Sequence, residues 1–306
     1  MNSPTSEAQS DIWSDWLLHR RHGDSAEQAN NLRPAIQGYA DHVLNAAKLS
    51  QNMTLVDIGS GDGLIAFAAI ERIGPSLKVI LTDISAPMLQ HARQQAMERG
   101  ILSQCNFIEA PAEDLSAIPD NSVDVVITRS VLAYVTNKRQ ALQEMRRMLR
   151  PGGRIALAEP VFRDDAVKVL AMKNWVTNNP DHENARYMRL MHLWKAAQFP
   201  DTMEKIAASP MTNYSERDLF LMAGEAGFAA VHVELHLDSV QRAIVPWEKY
   251  IECSPHPLAP TLGEILRNSF TPEDRLYFEQ ALRPLLATGE LEGVERMVYL
   301  TGIKPI

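Results

Sequence analysis

The sequence predicts a doubly wound α/β fold, and three observations carry that expectation. An apolar run breaks into a glycine loop at VDIGSGDG, Val56 to Gly63. Strand-like and helix-like segments alternate from Thr54 to about Ile155, and the connections between them are short. That rhythm belongs to a parallel sheet covered on both faces.

Taken in order, Thr54–Ile58 reads as the first strand, and LIAFAAIERI after the loop as a buried helix, with Leu64, Ile65, Phe67, Ala68 and Ile70 apolar. Further strands read at Lys78–Thr82, Asn106–Glu109, Val123–Thr128 and Arg154–Ala158, and helices at Pro87–Arg99 and Asn137–Leu149. Pro87 suits a first helical turn, where a missing N–H is harmless, and Pro151-Gly152-Gly153 is a breaker cluster. After Ala158 the rhythm stops. A long, largely helical, aromatic-bearing segment runs from residue 161 to about 210, followed by a helix at Glu216–Ala226 and a strand at Val231–Leu237. A second insertion at about 246–290 carries SPHPLAPT, and Val294–Tyr299 reads as the last strand. The expected organisation is one large domain: helices at 1–50, a ligand-binding core at 51–160, a helical insertion at 161–215, and completion of the core over 216–306.

Composition narrows the partners. The 306 residues are 45% hydrophobic and 22% charged, ordinary for a globular chain. A net charge of -8 and the lack of a Lys/Arg cluster count against nucleic acid, since phosphate contacts need such clusters. Cys105 and Cys253 stand far apart without metal-ligand spacing and read as reduced thiols. The polar, acidic N-terminus and the absence of a long apolar run lead to the expectation of a cytoplasmic protein with no membrane partner.

The loop departs from a dinucleotide fingerprint. Gly59, Gly61 and Gly63 alternate, Leu64 occupies the place of the third fingerprint glycine, and Asp62 would repel a pyrophosphate. With Asp57 nearby, the loop suits a ligand that has a cationic centre and no phosphate. Asp83, 20 residues beyond Gly63, can accept both hydroxyls of a ribose, a spacing that serves nicotinamide dinucleotides equally well. In APAEDL, backbone groups around Ala112 and the Glu113 carboxylate can read an adenine edge.

With those residues in place, the chain resembles the class I S-adenosylmethionine (SAM) dependent methyltransferases. VDIGSGDG, LTDIS, APAEDL, SVDVVITRSVLAYV and LRPGGRIALAEP match in order and spacing from about Thr54 to Pro160. The resemblance implies a Rossmann-like, mostly parallel sheet of seven strands with the last antiparallel, VERMVYLTG filling that role. It implies SAM as cofactor and S-adenosylhomocysteine as product. Gly59 and Gly61 would approach the methionine part, Asp57 its amino group, and Thr128 and Arg129 would line that end. Asp83 would bind the ribose, Ile84 would pack on the adenine, and Ala112 and Glu113 would stand at its edge. Pro111 replaces an acid often found before the Ala-Glu pair, leaving the adenine amino group to Glu113 or to backbone. Thr128-Arg129-Ser130-Val131 stands where members that methylate amines of nucleic-acid bases or glutamine amides carry Asn/Asp-Pro-Pro-Tyr, which argues against those acceptors.

Both insertions and the N-terminal helices (about Asp11 to Leu49, including Tyr39) are expected over the carboxyl ends of the strands, as a helical lid above a small or medium-sized acceptor. Direct in-line transfer is expected, with oxygen as the first choice of acceptor atom. Tyr134, Glu159, His182 and His192 are candidate acid–base residues by position. Tyr187, Met188, Met191 and Trp194 fall at helical spacing and read as a core stripe. His232, Glu234 and His236 share one strand face but lack a fourth ligand, so no metal is expected. WLLHRRHGD, Trp16 to Asp24, reads either as a solvated helix end or as a hold on an anionic acceptor. No oligomeric state is implied. The alternatives are a decarboxylase or cyclase that uses the sulfonium electrostatically, and a nucleotide-dependent oxidoreductase, which Asp62 and Leu64 oppose.

Overall fold

The structure, a computed structural model, describes residues 10–241 and 244–306. Its sheet has seven strands: β1 (Thr54–Ile58), β2 (Lys78–Asp83), β3 (Cys105–Glu109), β4 (Val123–Arg129), β5 (Leu149–Pro160), β6 (Ala229–Gln241) and β7 (Glu292–Ile303). They lie in the order β3-β2-β1-β4-β5-β7-β6. Strands β1 to β5 are parallel, while β7 runs antiparallel to both β5 and β6. Because the chain leaves β1 to one side for β2 and β3 and to the other for β4, a crevice opens at the carboxyl ends of β1 and β4.

Helices cover both faces. On one side lie α2 (Ala26–Ala47), α3 (Leu64–Ile73) and α4 (Ala86–Glu98), whose buried Val43, Phe67, Ile70 and Leu89 meet Leu55, Val79, Leu81 and Ile127. On the other, α5 (Lys138–Met148) and α9 (Glu216–Glu225) bring Leu142, Met145, Leu219 and Met222 against Val56, Val126, Ile155 and Leu300. Successive side chains of a strand feed opposite cores, which is why Leu55–Val56 of β1, Val125–Ile127 of β4 and Ile155–Ala158 of β5 are unbroken apolar runs.

A third apolar cluster stands apart from the sheet. Leu190 and Trp194 of α7 (Ala185–Ala196), Trp247 of α10 (Trp247–Tyr250), Leu262 and Ile265 of α11 (Leu262–Ser269), and Phe278 and Leu282 of α12 (Pro272–Thr288) pack together, with Tyr187 and Met191 alongside. Of the stripe expected on α7, Tyr187, Met191 and Trp194 join this core, that of a helical layer linking the two insertions, and Met188 lies outside it. Two further helices, α6 (Arg163–Asn178) and α8 (Met203–Ala208), complete the first insertion.

Three strands, β5, β6 and β7, run beyond their expected bounds. Pro151-Gly152-Gly153 ends α5 but does not delay the strand: β5 begins at Leu149 and takes up the extra residues as an irregularity opposite Val123–Val125. A Cβ on Gly153 would lie 2.9 Å from the carbonyl oxygens of Arg150 and Asp124, so the chain passes there only without a side chain. Strands β6 and β7 are longer than their apolar cores because they pair with each other from Leu237↔Arg296 to Gln241↔Glu292, where mutual backbone bonding replaces burial.

Candidate cofactor and acceptor site

Beyond the carboxyl ends of β1 and β4 lies a cavity of about 830 Å³, within the usual range for small-molecule sites. Its floor is the glycine loop. Gly59 and Gly61 have φ of +63° and +54°, and a Cβ on Gly59 would come within 2.3 Å of Val131. Ser60 N–H donates to the Thr82 carbonyl at 2.9 Å, tying the loop to β2, while Asp62 accepts from Leu64 N–H at 3.2 Å and starts α3.

Acidic groups gather at this end. Asp57 is 2% exposed, and burial, reinforced by Asp83 and Asp62 against the opposing pull of Arg129, pushes its carboxyl up to about 7. Burial also raises Asp83, whose two oxygens accept the backbone N–H groups of Gly61 and Ser85, each at 2.9 Å. Ile84 is 49% exposed and lines the cavity beside Ala112 and Glu113. Arg129 lines it from the end of β4, where Ser130 is held at φ 58° by an N–H bond to the Ala158 carbonyl.

The N-terminus closes one wall. Helix α1 (Ile12–Asp15) continues into a π-helical turn, Trp16–Arg20, a form often found at functional sites. Trp13 meets Tyr134 edge to face at 5.1 Å, and Leu17 lies over Gly61. Arg21 enters the cavity, and burial together with Arg129 lowers its guanidinium to about 10. Among the described residues neither Arg21 nor Arg129 has a carboxylate in ion-pair reach. Trp16 Nε1 donates to the Ser254 carbonyl at 3.0 Å, Ser254 N–H to the Arg20 carbonyl at 2.9 Å, and Arg20 to Glu264 at 2.6 Å, so the N-terminus is stitched to the second insertion.

Of the residues singled out from sequence, Asp57, Gly59, Gly61, Asp83, Ile84, Ala112, Glu113 and Arg129 all line this cavity. Thr128 does not; it lies beneath the floor, its hydroxyl donating to Glu159 at 2.6 Å. Glu159 is likewise below the floor, 1% exposed, and also accepts from Val131 N–H at 3.0 Å, so it braces the loop after β4. His182 is exposed against Trp175, and His192 stands 3.3 Å from Asp201; neither reaches the cavity. Tyr134 does, with burial pushing its phenol upward. Trp13 and Gln198 in the lining carry no local sequence signal, and nothing within WLLHRRHGD singles out Arg21. Only their long-range partners mark them.

A family described as "Methyltransferase domain" matches residues 49–209, just over half of the chain. A C-methyltransferase of ubiquinone/menaquinone biosynthesis, UbiE of Xanthomonas oryzae pv. oryzae, is 31% identical over 192 residues, 62% of this chain and 72% of that protein. This chain belongs to the class I SAM-dependent methyltransferases. UbiE of Hahella chejuensis is 44% identical over 106 residues, which cover 35% of this chain and 42% of that relative, so the match spans less than half of its length. The YcgJ protein of Bacillus subtilis shares the fold, with a TM-score of 0.57 at 19% identity over 88% of this chain and 99% of that one.

SAM is the cofactor of this methyltransferase family, and the cavity fits it. The Asp57 carboxyl, raised by burial, suits an ammonium group; the guanidinium groups of Arg21 and Arg129, which make no ion pair among the described residues, suit a carboxylate; and a glycine floor that a Cβ would obstruct permits close backbone approach. Among the described residues, no helix is long and apolar enough to cross a membrane.

Proposed function

We propose that the chain transfers the methyl group of SAM to a small, largely apolar molecule held under a helical lid. The observation that carries this reading is the division of one cavity into two ends. Asp57, Asp83, Glu113 and Arg129 gather at the first, and Phe162, Phe199, Trp194 and Met297 wall the second.

Bound SAM supplies an electrophilic methyl group on a sulfonium, and the chain's residues supply position and exclusion of water. Asp57 and Arg21 would hold the amino-acid end, Asp83 the ribose, and Ile84, Ala112 and Glu113 the adenine. Trp13 and Leu17 close the wall above the glycine loop, which suits a transfer in which charge disperses and alignment of the attacking atom governs the rate. Trp194 Nε1 and Gln198 Oε1 are buried without a hydrogen-bond partner among the described residues, and both residues line the acceptor end. They would read one donor and one acceptor group on the substrate.

For the acceptor atom, carbon takes precedence over the oxygen first expected. The relatives carry the name C-methyltransferase, and the cavity's carboxylates near the acceptor end are engaged, Asp165 by Arg296 at 3.1 Å and Glu295 by the Tyr39 hydroxyl. Titration with SAM, S-adenosylhomocysteine and NADH tests the cofactor assignment. Binding of the two sulfur ligands without NADH, followed by S-adenosylhomocysteine release with a quinol-like or other electron-rich ring acceptor, is the expected result. Turnover without S-adenosylhomocysteine would replace transfer with decarboxylase or cyclase chemistry, and no binding of either sulfur ligand to folded protein would overturn the reading.

A further inference from the structure

On the sheet edge farthest from β3, β6 presents Glu234 and His236 toward α2, which brings His42 across to them. The sequence shows only the three alternating residues His232, Glu234 and His236; the fold adds the ligand from a distant helix. His42 Nε2 stands 3.5 Å from Glu234 Oε2, and His236 Nε2 stands 3.3 Å from the same oxygen. One ligand atom from each of His42, Glu234 and His236 lies within 4.8 Å of the other two.

The two histidine–carboxylate separations match neighbouring ligands of a coordination polyhedron. Metal–ligand bonds of about 2.0–2.1 Å in tetrahedral geometry set neighbouring ligand atoms about 3.3–3.4 Å apart. We propose that His42, Glu234 and His236 bind a divalent transition-metal ion of the zinc class. Two imidazole nitrogens with one carboxylate oxygen form a donor set suited to Zn²⁺, Co²⁺ or Ni²⁺ rather than to Mg²⁺ or Ca²⁺, which prefer all-oxygen shells. The fourth position faces solvent, since the three side chains are 33%, 45% and 40% exposed.

Supporting contacts fix the ligands. The His42 ring stacks on Tyr299 of β7 at 3.7 Å, and the His236 ring meets the same tyrosine edge-on at 4.8 Å, so one aromatic side chain sets both orientations. His232 Nε2 lies 3.2 Å from Glu234 Oε1, the oxygen turned away from the cluster, and positions the carboxylate.

The consequence reaches the cavity. His42 follows Tyr39 by three residues on α2, on the same helical face, and the Tyr39 hydroxyl donates to Glu295 beside the acceptor end. A metal at His42 would pin α2 to the β6–β7 edge one turn away from that wall.

The test is titration of the tag-free full chain, stripped with EDTA and desalted, with Co²⁺ and no other ligand. Expected is a visible ligand-field band of tetrahedral or five-coordinate cobalt that saturates at one equivalent and is bleached by Zn²⁺. His42→Gln and His236→Gln, which each remove a ligand, should abolish saturation at one equivalent, whereas His232→Gln, which removes only a supporting contact, should keep that stoichiometry and weaken binding by roughly 10-fold. Should either histidine variant fail to fold by circular dichroism, the isosteric Glu234→Gln carries the same test. A cluster that is only a hydrogen-bonded network, a carboxylate shared among imidazoles, would give no band in the wild type, or equal Co²⁺ affinity in wild type and variants. Either result overturns the proposal.

Discussion

At the scale of single residues, the cofactor end makes sharply separable demands. Asp83 accepts from the Gly61 and Ser85 N–H groups, so its replacement removes the loop's anchor together with the ribose contact proposed for it. Asp83→Ala is expected to weaken SAM binding by about 10²-fold or more in calorimetry, since each hydrogen bond to a charged group contributes about 1.5–3 kcal/mol. Asp57 brings a pH dependence. Its carboxyl titrates at about 7 in the unliganded cavity, and an ammonium group requires the ionised form. SAM affinity should therefore be level above pH 7 and fall as the pH drops below it, by about tenfold per unit well below. In Asp57→Asn the affinity should be low throughout and the slope absent; a persisting slope would assign the titration to another group. Arg21→Gln should weaken SAM but not 5′-methylthioadenosine, which lacks the amino-acid part, and equal losses for both would place Arg21 elsewhere.

At the scale of elements, legibility followed the range of the interactions. Helix α3 was read to its ends, because the glycine loop before it and the apolar periodicity within it are local signals. The residues around the glycine loop were likewise legible, since strand, turn and helix succeed one another there without tertiary help. Glu159 and Thr128 lie below the cavity lining for a related reason: both sit at strand ends near the crevice, but their burial beneath it depends on the loop after β4 folding back so that its N–H groups donate to Glu159. His42 carries no sequence signal at all, because its neighbours are about 190 residues away. The N-terminal wall belongs to the same class. Arg20→Ala removes the bond to Glu264, which is partly exposed, and should cost only about 1 kcal/mol of stability. Its effect on SAM affinity should be larger than that on melting temperature, because Trp13 and Leu17 lose the anchor that holds them over the loop; a variant that melts early and binds normally would show the anchor to be structural alone.

At the scale of the whole molecule, three cores divide the labour. The two sheet cores are continuous with the floor of the cavity, so the residues proposed to hold the cofactor stand on a rigid base. The third, in which α7, α10, α11 and α12 pack on one another, is joined to the floor through the cavity walls and to the N-terminus through the Trp16–Ser254 and Arg20–Glu264 bonds. A layer with its own core moves as a unit more readily than it deforms, because close-packed interiors resist partial rearrangement. The N-terminal turn and the second insertion should therefore open and close together. Amide hydrogen exchange with and without S-adenosylhomocysteine checks this. The expected result is joint slowing over Ile12–Arg20 and Trp247–Ser269, with little change in the interior of β1, β4 and β5, which burial already protects. Slowing confined to the N-terminal turn would mean that this turn closes alone and that the helical layer is a fixed wall.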